Sequence, residues 1–181
     1  QQGGKVGKHL DLLAQEIDTG SRTLRNLMEY LAPKAPQPMA VDLNGLLKEL
    51  LATDGSGAPT VHLQLAEGMP PAWVDAMQVR TVMENLWAYE RTALEPTSSL
   101  RVVSRGSGPV VVEWIDNGAG LDATGLERLL SPLDEEGNSS LHLGLAVARR
   151  LVLQNGGRWQ VESRKELGTR FAVELPGTPE A

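Results

Sequence analysis

Two short valine-rich segments joined by a glycine turn constrain the fold more than any other feature of the sequence. Residues 100–105 and 109–115 are largely apolar, and Gly106, Ser107 and Gly108 lie between them. Valine-rich runs separated by such a turn predict the two antiparallel strands of a β-hairpin. A lone hairpin is marginally stable in water, so the rest of the chain must supply strands and helices that cover it.

The spacing of apolar residues elsewhere predicts those further elements. Helices are expected at residues 43–51, from about 75 to 93, shortly after 122 and at 143–154, and strands at 61–65, 158–163 and 169–175. Asp42 is suited to cap the first helix, and Asp75 lies near the start of the second. The strands pair mostly as hairpins between helices. We therefore expect an α+β fold, a two-layer sandwich in which helices cover one face of a mixed sheet.

The first part of the chain has a different pattern. Apolar residues alternate steps of three and four at Leu10, Leu13, Ile17, Leu24, Leu27 and Leu31. This seam is typical of a helix in a coiled coil or a four-helix bundle, although a single helix lying on its own domain has the same pattern. Three prolines at 33, 36 and 38 then end the helix. We expect a helix and linker over residues 1–36, a domain over 37–176 and a disordered tail over 177–181.

Composition excludes several classes of protein. The 181 residues include no cysteine, so disulfides and thiolate metal sites are excluded, and no apolar run is long enough to span a membrane. A formal net charge of −6 with scattered Lys and Arg argues against a nucleic-acid surface. His9, His62 and His142 lack the spacing of metal ligands. We expect a cytoplasmic location and no membrane contact for this chain, whether or not the full-length protein is attached to a membrane.

The second strand of the hairpin ends in a chemically distinctive turn. Asp116 is followed by Asn117, Gly118, Ala119 and Gly120. A carboxylate held at a strand end accepts hydrogen bonds from an amino group such as that of adenine. The glycines allow the backbone to pass close to a flat ligand. Taken alone, the same residues are also ordinary turn chemistry.

Further motifs decide between these interpretations. The run from Leu143 to Val152 leads into Asn155-Gly156-Gly157, and Val161-Glu162-Ser163 and Gly168-Thr169-Arg170-Phe171 follow. Upstream, Glu84-Asn85-Leu86 and the segment 71–75 complete the set. In this order the motifs resemble the N box, last glycine box and closing hairpin of the ATP-binding domain of sensor histidine kinases, a branch of the Bergerat-fold ATPases. The resemblance covers about residues 40–176, and the seam helix resembles the second helix of the family's dimerisation bundle.

The resemblance implies roles for particular residues. Asp116 would take the adenine amino group, with Gly118 and Gly120 shaping the pocket and Thr169 approaching from the neighbouring strand. The start of the helix at His142, Leu143 and Gly144 would face the phosphates. Asn85 would help to hold Mg²⁺ and serve the reaction, and residues 122–143 would form a lid. The implied cofactor is ATP with Mg²⁺, which phosphorylates a histidine on the dimerisation bundle.

The sequence also departs from the family pattern. Tyr89 stands where a second metal-binding asparagine is usual, and a neutral phenol is a poor ligand for Mg²⁺. Glu90 replaces the usual alanine and could supply a carboxylate in place of the missing amide. Adjacent helix positions point about 100° apart, so we interpret Glu90 as a solvated surface residue. Two glycines of the last glycine box are replaced, by Ser140 and His142. His142 could contact a phosphate when protonated. Leu130 to Leu133 replace the lid's usual phenylalanine motif, and acidic residues follow at 134–136.

The usual phosphoacceptor motif is absent, because no proline step follows His9. Two hypotheses remain. One is the ATP-binding part of a sensor histidine kinase that forms a homodimer through its first helix and serves a response regulator. The other is a pseudokinase that keeps the fold and serves dimerisation, docking of a receiver domain or control of a partner kinase. A gyrase-like or chaperone-like ATPase is disfavoured because those proteins carry a catalytic glutamate where Asn85 stands.

Overall fold

The computed structural model describes residues 17, 19–32, 34–52, 59–129, 131 and 139–179. The chain divides into two compact units, with the division between Lys34 and Ala35. The first unit contains helix α1, residues 19–31, in which Leu24, Leu27 and Leu31 are exposed. Ile17, which precedes this helix, is also exposed. The seam positions Leu10 and Leu13, the candidate His9, the predicted loop at 54–57 and the lid residues 132–138 lie outside the described part.

The second unit contains the elements that the apolar spacing predicted. Its helices are α2 (Leu43–Leu51), α3 (Ala76–Ala93), α4 (Ala123–Leu129) and α5 (Ser139–Gln154). Its strands are β1 (Met39–Val41), β2 (Thr60–Leu65), β3 (Ala72–Val74), β4 (Ser99–Gly106), β5 (Val110–Asp116), β6 (Arg158–Arg164) and β7 (Gly168–Leu175). Among the described residues, no helix has both the length and the apolar character that crossing a bilayer requires.

The main sheet has five strands in the order β2-β4-β5-β7-β6. Strands β4 and β5 form the predicted hairpin, β6 and β7 form a second one, and β2 pairs parallel to β4, so the sheet is mixed. This confirms the expected α+β sandwich. A second sheet was not predicted: β1 pairs with β3, with Met39 opposite Val74. Each of these strands has only three residues, so the alternation of apolar and polar residues that identifies a strand in sequence does not show.

Aspartates fix the starts of the first two helices of this unit. Asp42 caps α2, where its Oδ1 accepts a hydrogen bond of 3.0 Å from the Gly45 N–H. Asp75 caps α3 in the same way, accepting from the Gln78 N–H at 3.0 Å. Each cap satisfies an N–H group that has no partner inside its helix, which is worth about 1 kcal/mol. Both caps follow from the sequence positions of the aspartates.

The core lies between the sheet and the helices. Successive residues of a strand point to opposite faces, and on β5 and β7 one face is fully buried. This buried set comprises Val110, Val112, Trp114, Phe171, Val173 and Leu175. Trp114 lies directly opposite Phe171 in the strand register. Helix α3 packs against α5 and α2, and its Tyr89 ring contacts Phe171, so the helices cover this face of the sheet.

The chain remains paired beyond the predicted end of the domain. Gly177 forms a β-bridge with Ala72, and the Thr178 N–H donates to the Pro71 carbonyl at 3.3 Å. We expected a disordered tail over residues 177–181, and these two contacts involve the first two of those residues. The partners are Ala72, the first residue of the unpredicted strand β3, and Pro71, which precedes that strand.

Candidate functional site

The last residue of β5, Asp116, has both carboxylate oxygens engaged. Its Oδ1 accepts a hydrogen bond of 2.6 Å from the Gly118 N–H, and its Oδ2 accepts one of 2.9 Å from the Thr169 N–H. The side chain is 8% exposed. Two backbone donors from different parts of the chain therefore fix the orientation of a nearly buried carboxylate.

Glycines allow the loop after Asp116 to lie against the β6–β7 turn. Gly120 has a φ of +62°, and a Cβ atom there would lie 1.9 Å from the Arg164 carbonyl oxygen. Gly168 has a φ of +91°, and a Cβ there would lie 2.2 Å from the Asp116 carbonyl oxygen. Any residue other than glycine at either position would combine a disfavoured backbone conformation with a clash between its Cβ and the backbone of another segment. The loop and the turn are thus held in contact.

Ser163 joins the same loop to β7. Its Oγ accepts a hydrogen bond of 2.8 Å from the Leu121 N–H and lies 2.9 Å from the Thr169 Oγ1. Thr169 in turn binds Asp116. Ser163 belongs to the motif Val161-Glu162-Ser163, from which no role for this serine was predicted. Its position six residues before Thr169, across a hairpin turn, was the signal that could have placed it beside this threonine.

These elements enclose a small pocket of about 110 Å³. It is lined by Tyr89, Ala93, Leu94, Asp116, Gly118, Ala119, Gly120, Leu121 and Thr169. Pockets for whole drug-sized ligands have about 300–1,000 Å³, so this one has room for one part of a ligand. Five of the candidate residues from the sequence analysis lie together here: Tyr89, Asp116, Gly118, Gly120 and Thr169. Asn85, His142, Leu143 and Gly144 do not line the pocket.

Burial raises the pKa of Asp116 above its ordinary value, and the hydrogen bonds from Gly118 and Thr169 offset part of this rise. Those donors stabilise the charged form, which accepts hydrogen bonds and donates none. The pocket therefore has an oriented acceptor at its base and mainly small or apolar groups on its walls. This arrangement suits a flat, weakly polar ring that carries an amino group.

Tyr89 lines the pocket, and its ring packs against a residue of β7. Its ring meets Phe171 edge-on, with ring centroids 5.4 Å apart and an angle of 77° between the planes. Burial raises the pKa of the Tyr89 hydroxyl, so the group is neutral at physiological pH. A neutral phenol whose ring is packed against Phe171 does not replace a metal-binding amide.

The residues that the family would use for Mg²⁺ therefore do not fit that ion well. Asn85 is 4% exposed and is a single amide where two are usual. The described residues contain no group of three or more His, Cys, Asp or Glu side chains that could hold a metal ion. The Mg²⁺ site implied by the resemblance is thus reduced to one buried amide.

Glu90 is not on the surface. We interpreted it as a solvated glutamate, but its exposed fraction is 0%. The apolar spacing predicted a narrow inner face for α3, whereas the six consecutive residues Asn85–Glu90 are all buried. Helix α3 packs against α5, and its Tyr89 packs against Phe171 of β7. Its buried residues therefore extend around more of the helix than a single face. The interpretation of Glu90 from sequence is therefore wrong.

The other end of the candidate site also differs from expectation. Helix α5 begins at Ser139, one turn before the predicted start at Leu143. Serine and histidine at the usual glycine positions favour helix by several tenths of a kcal/mol each relative to glycine. Only the first four N–H groups of a helix lack internal partners, so those of Leu143 and Gly144 are not available to an anion. Leu143 and Gly144 are buried, and His142 is half-buried in the first turn.

Comparisons with known proteins agree with this geometry. The family described as histidine kinase-, DNA gyrase B-, and HSP90-like ATPases matches residues 75–179, more than half of the chain. The chain belongs to this family. Its ATP-binding domain is of the sensor histidine kinase type, as the motifs implied.

Individual relatives support the same assignment. Sensor histidine kinase ZraS of Escherichia coli O157:H7 is 30% identical over 96% of this chain, which spans 39% of that protein. The chain thus corresponds to about two-fifths of such relatives. The Acinetobacter baumannii histidine kinase AdeS has a similar fold, with a TM-score of 0.69 at 16% identity over 94% of this chain and 81% of that one. Full-length ShkA in complex with AMPPNP gives a TM-score of 0.71 at 19% identity, over 94% of this chain and 37% of that one.

Proposed function

We propose that the pocket at the end of β5 binds the adenine ring of a nucleotide, with the Asp116 carboxylate accepting from the exocyclic amino group. The fixed orientation of this buried carboxylate is the observation that carries the proposal. A hydrogen bond to a charged group is worth about 1.5–3 kcal/mol. The oriented acceptor would select a ring with an amino group over one with a carbonyl at the same place.

In the full-length protein, the domain would present ATP to a histidine on a dimerisation bundle, and a response regulator would receive the phosphoryl group. Family membership and the relatives named as sensor histidine kinases support this role. The structure of ShkA that resembles this chain was solved with AMPPNP. The domain itself would extend over residues 37–176, preceded by the helix and linker at 1–36. For such a transfer, a protein mainly supplies positioning and electrostatic stabilisation.

A second candidate is a catalytically impaired module that binds nucleotide without productive use of Mg²⁺-ATP. The packing of Tyr89 on Phe171 and the early start of α5 favour it. Such a module would act by dimerisation, or by docking a receiver domain or a partner kinase. The two candidates share the adenine pocket and differ at the metal and the phosphates.

Calorimetric titration distinguishes them. The protein is titrated with ATP and with adenosine, each with Mg²⁺ and with EDTA. A kinase domain should bind ATP more tightly with Mg²⁺, whereas an impaired module should bind adenosine and ATP with similar affinities that Mg²⁺ does not change. If neither ligand binds at millimolar concentration, the adenine pocket itself is disproved for this chain.

The first helix supports a further proposal, that the protein is a homodimer. Five large apolar residues of this segment are exposed: Ile17, Leu24, Leu27, Met28 and Leu31. A second copy of the seam would cover them. Light scattering at high micromolar concentration should give the mass of a dimer, and the double substitution Leu24→Glu and Leu27→Glu should give a monomer. Leu153→Glu, at an exposed leucine of α5, is the matched control and should remain dimeric.

A further inference from the structure

Glu90 is a buried carboxyl group that the proposed function does not use. It is 0% exposed, and neither of its carboxyl oxygens has a hydrogen-bond partner among the described residues. An ionised carboxylate without partners is far more costly to bury than a neutral one. Burial accordingly raises the pKa of Glu90 well above its ordinary value, and the negative charge of Asp116 raises it further.

A short chain of contacts connects Glu90 to the pocket. Its backbone carbonyl accepts from the Leu94 N–H at 3.0 Å. Leu94 lines the pocket and leaves no space for a side chain at Gly118, where a Cβ would lie 2.7 Å from the Leu94 Cδ2. Gly118 in turn donates to Asp116. Glu90 thus lies one helical turn before Leu94, a residue of the pocket wall that also packs on the loop holding Asp116.

The two carboxyl groups have opposite surroundings. Asp116 accepts hydrogen bonds from the N–H groups of Gly118 and Thr169, whereas the Glu90 carboxyl group accepts from none of the described residues. Donors stabilise the charged form of a carboxyl group, and burial without donors stabilises the neutral form. In the described part of the chain, the titratable groups that act on Glu90 or respond to it are Asp116 on β5 and Tyr89 on α3.

We propose that Glu90 is a positioning residue of the adenine pocket, which carries the single proton of a buried carboxyl pair and so leaves Asp116 ionised at neutral pH. The inference rests on the proposed adenine site for its functional consequence but not for the protonation itself. Two carboxyl groups whose charges act on each other resist double ionisation, and the charge of Asp116 raises the pKa of Glu90. If Glu90 lost its proton, its negative charge would repel that of Asp116 and disturb the acceptor that receives the amino group.

The protonation states are tested by NMR with ¹³C-labelled glutamate and aspartate carboxyl carbons. The Glu90 and Asp116 signals are assigned by their absence in Glu90→Gln and in Asp116→Asn. At pH 7 the Glu90 signal should lie at the protonated position and the Asp116 signal at the ionised one. In the protein unfolded by urea at the same pH, both carboxyl groups should be ionised. The matched control Glu95→Gln, which removes an exposed carboxyl just beyond α3, should leave both signals in place. Any other assignment at pH 7 overturns the proposal.

The positioning role is tested with adenosine, which has no phosphates and needs no metal. Its affinity is measured calorimetrically from pH 6 to pH 10 beside the NMR titration. The affinity of the wild type should fall about tenfold per pH unit once Glu90 ionises, if binding requires the protonated form. This fall should be absent in Glu90→Gln. A fall without a Glu90 transition, or a transition without a fall, overturns the role.

These measurements separate the two proposals. If adenosine does not bind at any pH, the proposed function fails, while the NMR result still decides where the proton lies. If adenosine binds but Glu90 is ionised at pH 7, the proposed function stands and the inference fails.

Discussion

The two ends of the candidate site differ. At one end, two backbone N–H groups hold Asp116, and glycines bring two loops together. At the other end, Tyr89 and the first turn of α5 stand in place of the groups that would hold a metal and phosphates. We call these the adenine end and the phosphate end. The adenine end depends on backbone geometry, which few substitutions leave intact. The phosphate end depends on individual side chains and glycines, which can be exchanged while the fold remains. A family can therefore lose the second while it keeps the first.

Among the tests of this comparison, we expect Gly168→Ala to have the largest effect, a loss of folding stability. The substitution combines a φ of +91° with a Cβ 2.2 Å from the Asp116 carbonyl oxygen. Backbone strain and overpacking together should lower the free energy of unfolding by about 2–5 kcal/mol. Urea unfolding at 25 °C measures this.

The matched control is Gly156→Ala at the end of α5. Its φ is +75°, but no atom lies within 4 Å of the added Cβ. It should lose only about 1–2 kcal/mol, the cost of the left-handed conformation. Equal losses at the two glycines would show that the contact between loop and strand is not tight.

Asp116→Asn is the next test, and it acts on the adenine end alone. The amide keeps the shape but loses the charge, and its NH₂ group would face the Gly118 or Thr169 N–H. We expect adenosine affinity to fall by about 10- to 100-fold, the value of one charged hydrogen bond. Calorimetry measures the affinity, and circular dichroism checks that the fold is kept. Unchanged affinity would contradict the role of Asp116.

Glu90→Gln tests the buried carboxyl through the pH dependence of stability. The folded-state pKa of Glu90 is raised above its unfolded value. Between these two values the folded state holds a proton that the unfolded state has lost, so stability falls as pH rises. The wild type should lose up to about 1.4 kcal/mol per pH unit relative to Glu90→Gln in this window, which begins near the ordinary pKa of glutamate. Denaturant unfolding at pH 5, 6 and 7 measures the difference. Parallel curves would show that Glu90 is not buried in solution.

Tyr89→Asn should have the smallest effect and would sharpen the comparison at the phosphate end. The substitution restores one amide near Asn85 but removes the edge-on contact with Phe171. We expect Mg²⁺ to improve the ATP affinity of the variant by less than about tenfold, under about 1.4 kcal/mol, because α5 still begins one turn early. Calorimetry with Mg²⁺ and with EDTA gives this ratio. A much larger gain would make Tyr89 alone responsible for the difference between the two ends.

Much of the fold follows from local pattern. The hairpin of β4 and β5, the hairpin of β6 and β7, and the capped helices α2 and α3 lie where alternation, helical spacing and aspartate caps predicted them. Such elements are set by residues within a few positions of one another. The small sheet of β1 and β3 was missed because its short strands carry no period and are stabilised by partners far along the chain.

The candidate site divides in the same way. The sequence by itself determined the family, the glycine turn and the aspartate at the end of β5, because these depend on residue types at fixed short spacing. Only the tertiary structure decided that Glu90 is buried, that Ser163 holds the loop to Thr169 and that Tyr89 packs on Phe171. Burial and contact between distant residues depend on how helices and sheet stack. The sequence around a helical glutamate does not indicate whether other elements cover one side of its helix or several sides.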